Sequence, residues 1–223
     1  MREGSEHIVP PHTTAEMIEA HKDAFIAATN HDFLDACADG TVGDQQFNTW
    51  LLQDYLFVLE FSRMAGRALS NAPDEHVPLL LGGLAALKEE LVWFKYMAQR
   101  LGVDLSTAMK KPTNQEYCAF MRELAEHDYT VQLAAYWAIE LVYNKAWQLN
   151  GKTPRKPLHQ ELQQRWGNAE FTAFVTALAE EVDKRLHVEV GADEVQLMVQ
   201  RECSEVFGRV MAQEVRFWHM AYE

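Results

Sequence analysis

Residues 131–146 read VQLAAYWAIELVYNKA and carry only two charges, Glu140 and Lys145. A segment this long with apolar residues on every side has no wet face, so it reads as a helix surrounded by protein. That predicts a helical bundle with this segment, about 130–149, at its centre. Working outward, the apolar residues keep a helical period almost throughout. Upstream, Thr13 or Thr14 caps a helix to about residue 37, with Gly40 beyond its end. A second runs from 43 or 44 to about 71, with the stripe Phe47, Trp50, Leu51, Tyr55, Val58, Phe61, Met64, Ala65. After a break at Pro73–Asp74, a third covers 75–101 and closes at Gly102. Pro112 and Thr113 open a fourth, to about 127. Downstream, Asn150–Gly151 stops the central helix and 152–157 is a loop with two prolines. Shorter helices follow over 158–166, 169–190 and 192–222. No strand-like alternation, linker, repeat or low-complexity tract is present. The expectation is one all-α domain over 14–223, a single-domain bundle of seven to eight helices, after a loose leader at 1–13 that Pro10–Pro11 keeps non-helical.

Composition bounds what such a bundle does. The 223 residues carry 33 Asp plus Glu against 20 Lys plus Arg, a net charge of −13. Nucleic-acid affinity comes largely from neutralising phosphates with cations, so this balance argues against a nucleic-acid partner. It argues equally against docking on an anionic membrane. Glycine (11) and proline (7) are too scarce for a turn-rich β-fold. The three cysteines, Cys37, Cys118 and Cys203, form no C-x-x-C, which disfavours a disulfide framework or zinc ribbon and fits a reducing cytosol. With no apolar run in MREGSEHIVPPHTT and no long uncharged stretch elsewhere, the expected location is cytoplasmic.

Three acids sit where acids are costly. Asp54 has Trp50 and Leu51 before it, and Phe57 and Val58 after it, at spacings of three and four on one helix face. Glu214 repeats the pattern with Val210, Met211, Phe217 and Trp218; Glu140 does so with Tyr136, Trp137, Tyr143 and Asn144. An ionised carboxylate buried without a partner costs several kcal/mol, so each must be paired, hydrogen-bonded or protonated. Taken singly, such an acid is most often a boundary residue or a member of a structural ion pair. Taken together, the three outline a polar pocket in an aromatic cage. Such a pocket suits a flat, cationic or amino-bearing heterocycle. Desolvation raises a carboxyl pKa and fits it for general acid–base work near neutral pH.

Other chemistries find less support. None of the nine histidines has a Glu three residues before it, as a di-iron bundle would want, and no metal or cofactor is expected. The pairs Glu123/His127 and Asp183/His187 read as solvated helix faces. No nucleophile-elbow serine, P-loop or dinucleotide fingerprint occurs. Gly82–Gly83 reads as close helix packing, and Cys118 and Cys203, lone thiols among apolar residues, as inert core.

The segments WLLQDYLFV (50–58), GGLAALKEELVWFK (82–95), NQEY (114–117), YWAIELVY (136–143), RWGN (165–168) and EVRFWHM (214–220) together resemble the TenA, or thiaminase II, family of the haem-oxygenase-like helical fold. The resemblance spans residues 50–220 and makes 14–223 a TenA-like domain. It implies binding and hydrolysis of thiamin-derived aminopyrimidines. By position, Asp54 resembles the acid that grips the pyrimidine and its amine, and Glu214 the acid/base glutamate. Phe57 and Tyr117 resemble ring-contacting aromatics, and Trp166 stands where the cysteine-bearing branch tends to have a pocket tyrosine. Tyr136 and Tyr143, which flank Glu140, complete the candidate substrate-binding set. The resemblance also implies a homo-oligomer, a dimer or tetramer.

One departure matters. The better-known branch has a nucleophilic cysteine just before the Tyr-Trp pair; here that position is Ala135. A covalent thioether there is excluded, and the sequence resembles instead the cysteine-less TenA_E branch, which shares WAIE and so Glu140. That branch implies salvage: N-formylaminopyrimidine to aminopyrimidine, and aminopyrimidine to hydroxymethylpyrimidine. The expected mechanism has water as nucleophile, Glu214 as main acid/base, Glu140 orienting water or tuning Glu214 by like-charge coupling, and Asp54 as anchor. The alternatives are a non-catalytic aminopyrimidine-binding protein and a cofactor-free oxidase of the same fold, whose acidic substrate would want a His- and Arg-rich pocket. A transcriptional regulator, an older label in the family, conflicts with the net charge and the lack of a basic recognition helix.

Overall fold

The computed structural model describes residues 10–187 and 193–223, and among them every regular element is helical. In chain order these are α1 (Thr14–Ala20), α2 (Lys22–Thr29), α3 (Asp32–Asp39), α4 (Asp44–Asn71), α5 (Val77–Leu101), α6 (Pro112–Glu123), α7 (Tyr129–Trp147), α8 (Pro157–Trp166), α9 (Ala169–Leu186) and α10 (Glu194–Tyr222). Short 3-10 turns lie at Asp74–His76, Leu124–Glu126 and Leu149–Gly151. The start of the leader, the expected end at 190 of the helix from 169 and the expected start at 192 of the last helix lie outside the described residues. Residues 10–13 are non-helical, and the Thr13 hydroxyl caps α1 by accepting from Glu16 N at 3.2 Å.

α7 is the centre that its sequence predicts. All its residues are buried except Tyr143 and Lys145, which are half-buried. α9 and α10 make its main packing partners, and α2, α4 and α8 close the rest of its circumference. Leu133, Val142 and Trp147 are fully buried, and Trp137 stacks on Phe207 with ring centroids 5.4 Å apart. Each such side chain contributes about 1.5–3 kcal/mol on leaving water. The outer framework is α4, which packs on α5, α10 and α6.

The N-terminal arm departs from the single helix expected over 14–37. It forms three short helices; counted as one unit, the bundle has eight. The first break is at His21, drawn off helical geometry while its Nε2 meets Ser204 Oγ at 3.0 Å. Gly208 makes room, because a Cβ there would lie 2.8 Å from the imidazole. The second break is at Asn30–His31, where His31 caps α3 by accepting from Phe33 N at 3.1 Å. A contact between residues far apart in sequence and a histidine cap are both invisible to a rule that looks for Ser, Thr, Asp or Asn. Gly40 and Gly102, in left-handed conformations, end α3 and α5 as their positions suggest.

The Gly82–Gly83 pair divides. Gly82 is exposed with no neighbour where a Cβ would stand, so it is not a packing glycine. Gly83 is: a Cβ there would lie 2.1 Å from Tyr136 Oη and 2.9 Å from Phe174 Cζ. The Tyr136 hydroxyl and the Phe174 ring therefore reach the α5 backbone because residue 83 has no side chain. Tyr136 Oη is buried without a hydrogen-bond partner among the described residues. Gly83→Ala is expected to cost about 1–3 kcal/mol in urea unfolding. Tyr136→Phe alone should cost little, and the double variant should recover part of the Gly83→Ala loss. Strict additivity would show that the Tyr136 hydroxyl is not what the Cβ meets.

Candidate active site

Four buried or half-buried acids come from four helices and face one line of interior spaces. The outermost is a chamber of about 410 Å³ bounded by Gly82, Gly83, Leu87, Glu90, Glu140, Arg165, Trp166, Asn168, Phe171 and Phe174, among others. Leu87, Glu90 and Glu140 also wall a second space of about 20 Å³, with Asp54, Phe57, Phe61 and Tyr143 on its far side. Asp54, Phe57 and Tyr143 in turn wall a third, of about 10 Å³, closed by Glu214 and Phe217. The inner two spaces each hold about one water. Shared walls set the three in series, a path of adjoining spaces from the α5–α9 side to the bundle interior.

Two tyrosines hold two of the acids. Tyr117 Oη donates to Glu214 Oε1 at 2.7 Å, and Tyr143 Oη donates to Asp54 Oδ2 at 2.5 Å. Burial keeps both phenols well above their usual pKa, so at neutral pH they are donors. Trp166 Nε1 donates to Glu90 Oε1 at 3.0 Å. The Trp166 ring is itself the hub of an aromatic cluster, with centroids 5.1 Å from Trp93, 5.3 Å from Tyr143, 5.5 Å from Trp147 and 5.9 Å from Trp50. Phe57 lies 4.8 Å from Tyr117 and 5.7 Å from Phe217, which makes the inner end aromatic too.

Electrostatics follow from the lining. Burial pushes Glu214 up to about 7, against the pull of the Tyr117 hydrogen bond. It pushes Glu90 up to about 7 as well, against Trp166 and the nearby Arg165 charge. Asp54 is raised well above the carboxylate range, chiefly by burial, with the Tyr143 bond opposing and the charges of Glu90 and Glu214 adding. Glu140 is raised by burial and then by Glu90. Like charges in a dry space cannot all ionise, so the cluster retains protons near neutral pH. None of the described His, Cys, Asp and Glu side chains gathers in a group of three that could hold a metal ion. Among the described residues, no helix is long and apolar enough to cross a membrane.

A lone chain of acids in a helical bundle is not by itself diagnostic, but comparison with known proteins is. The TENA/THI-4/PQQC family model matches residues 18–223. The chain belongs to this family. A "Probable bifunctional TENA-E protein" of Glycine max is 32% identical over 219 residues, covering 93% of this chain and 92% of the relative. An aminopyrimidine aminohydrolase of Halalkalibacterium halodurans is 22% identical over 218 residues, covering 93% and 94%. The X-ray structure of a TenA homologue from Pyrococcus furiosus superposes with a TM-score of 0.86 at 24% identity, covering 94% of this chain and 99% of that one. The fold is thus the haem-oxygenase-like helical bundle of the TenA proteins.

Within this TenA fold the sequence candidates fall into place unevenly. Asp54, Phe57, Tyr143, Glu140, Trp166 and Glu214 all wall the path. Tyr117 stands behind Glu214 as its hydrogen-bond donor, and Tyr136 packs under Gly83; neither walls these three spaces. Glu140 is expected from the sequence to tune Glu214 by like charge; instead Glu214 is raised by burial, and the acid coupled to Glu140 is Glu90. Ala135 is fully buried within α7, and the thiols elsewhere are unreactive: burial pushes Cys37 and Cys203 up to about 12 and raises Cys118.

Glu90 and Arg165 are the site residues the sequence reading leaves out. Glu90 carries the same signal as the other acids: Ala86 and Leu87 precede it by four and three, and Trp93 and Phe94 follow by three and four. Arg165, in RWGN, carries no such signal.

Because the folded pKa of Glu214 is raised from its usual 4.5 to about 7, the stability it contributes is complete below 4.5 and lost as pH rises through 7. Glu214→Gln keeps an acceptor for Tyr117 but buries no charge. Relative to wild type it should gain on the order of 2 kcal/mol in urea unfolding between about pH 5 and pH 8. A stability difference that does not change with pH would show that Glu214 ionises normally.

Proposed function

We propose that this chain hydrolyses thiamin-derived aminopyrimidines with water as nucleophile, converting N-formylaminopyrimidine to aminopyrimidine, aminopyrimidine to hydroxymethylpyrimidine, or both. The observation that carries this reading is the Tyr117–Glu214 pair at the end of the acid-lined path, a carboxyl group poised near 7 where no thiolate is at hand. Family membership and the aminohydrolase relative support the substrate class.

The roles follow from the geometry. Asp54, fixed by Tyr143, is the acceptor for the exocyclic amine of a pyrimidine whose faces meet Phe57, Tyr143 and Trp166. The inner spaces are water-sized, so the ring must displace a side chain that lines them while the Tyr143–Asp54 bond is kept. Glu214, populated in both forms at neutral pH, takes a proton from water as base in the amine reaction and gives one to the departing nitrogen as acid in both reactions. In the amide reaction the new C–O bond forms at the formyl carbon and the C–N bond breaks, giving formate and the amine. In the amine reaction water's oxygen bonds the ring methylene as ammonia leaves. Tyr117 holds Glu214, and Tyr136 buttresses α7 against α5.

The oxidase reading wants a basic lining, and Arg165 is the one Lys or Arg in the walls of the three spaces. A turnover screen with thiamin, aminopyrimidine and N-formylaminopyrimidine tests the proposal. Wild type should convert at least one aminopyrimidine and cleave thiamin feebly or not at all. Glu214→Gln should lower kcat by at least about 10²-fold. Full turnover by Glu214→Gln overturns the assignment, strong thiamin cleavage overturns the branch, and binding without turnover makes the protein a carrier.

A further inference from the structure

The outer chamber contains more chemistry than a channel needs. At about 410 Å³ it is far larger than the inner spaces, and its wall joins two acids, Glu90 and Glu140, to one guanidinium, Arg165. Arg165 lies over the Trp93 ring at 4.9 Å and over Trp166 at 5.9 Å. Its Nε is buried without a hydrogen-bond partner among the described residues. A buried guanidinium N–H left unpaired costs free energy unless something else in the site accepts from it.

The two candidate reactions differ in what they ask of a site. Hydrolysis of the formyl amide passes through a tetrahedral intermediate, and the oxygen that was the carbonyl carries a developing negative charge. Displacement of the amine from the ring methylene develops no such oxyanion. An unpaired cationic donor therefore has a use in the first reaction and none in the second. The chamber also has the room that a formyl group and its attacking water require, and Glu90 stands where outer chamber and inner path meet.

We propose that the outer chamber is a formyl-amide subsite in which Arg165 holds the tetrahedral oxyanion and Glu90 is the base on the attacking water. The inference rests on the aminopyrimidine reading above and deepens it. Water's oxygen bonds the formyl carbon while Glu90 takes one water proton, and the carbonyl pair moves onto the oxygen facing Arg165. Collapse of that oxyanion breaks the C–N bond, and Glu214 supplies the proton that the leaving nitrogen takes. The formic acid released passes its proton back to Glu214, and the amine takes the one held by Glu90. The balance is amide plus water to formate plus protonated amine. Glu140, which shares the chamber wall with Glu90 and is raised by burial and by the Glu90 charge, is a positioning residue here: its protonated carboxyl group can hold the attacking water beside Glu90.

The test is kcat/KM for N-formylaminopyrimidine and for aminopyrimidine in wild type, Arg165→Met, Arg165→Lys, Glu90→Gln and Glu214→Gln, with thermal melts to confirm folding. Arg165→Met should lower the formyl reaction by about 10²–10³-fold and shift the ratio between the two substrates by at least about 30-fold, with Arg165→Lys recovering part. Glu90→Gln should shift the ratio in the same direction, whereas Glu214→Gln should depress both reactions. If wild type converts the formyl substrate alone, Arg165→Met should act on kcat with KM within about threefold, because the oxyanion exists only after attack. An unchanged ratio, a loss carried by KM, or a wild type that acts on aminopyrimidine alone overturns the subsite. A wild type inert on both substrates instead overturns the aminopyrimidine reading beneath it.

Discussion

Charge burial is the constraint on which the interior depends. α4, α5, α7 and α10 each turn a carboxyl group inward, and no cation reaches Asp54, Glu140 or Glu214 closely enough to pair with it among the described residues. The bundle answers in two ways. Tyr117 and Tyr143 each give a hydroxyl to one carboxyl group, and the cluster keeps protons that a solvated acid would lose. Glu60 shows the other solution. It is as buried as Glu214, yet Arg63, Arg67, Lys110 and Arg122 all lie within 4 Å of it. Equal burial with cations gives a structural ion cluster; burial with phenols instead leaves acids able to exchange protons.

The fold was legible wherever its causes were local. The apolar period of α7, the proline opening of α6, and the glycine ends of α3 and α5 are properties of neighbouring residues, and each appears where the sequence places it. The N-terminal arm was not legible, because its break at His21 is tied to Ser204 and Gly208, some 183 residues away in the chain. The site divides along the same line. Spacing on a helix face marks Asp54, Glu140 and Glu214, and it marks Glu90 by the same rule. It cannot give Glu60's full pairing, since two of its four cations, Lys110 and Arg122, lie outside its helix. Nor can it show that Tyr117 serves Glu214, a pairing across 97 residues that only packing creates.

Ala135 ties the chemistry to the burial argument. With a fully buried methyl at residue 135 and burial raising all three thiols, the proposed hydrolysis must run on groups that move protons rather than form thioethers. That requires carboxyl groups whose pKa lies near the working pH. A desolvated wall meets the requirement and a solvated cleft does not. The aromatic hub around Trp166 therefore does two jobs at once: it fills the bundle between α5, α7 and α8, and it keeps water from returning those acids to their ordinary pKa.

The central claim is that Glu214 holds its proton up to neutral pH. It is tested most directly by following the carboxyl carbons of a chain labelled at glutamate side chains through a pH titration by NMR, in wild type and Glu214→Gln. The account predicts a glutamate resonance that titrates near 7 and is missing from the variant. If every glutamate has finished titrating below about pH 5.5, in the range of solvated carboxyl groups, the site holds ordinary acids and the account is wrong.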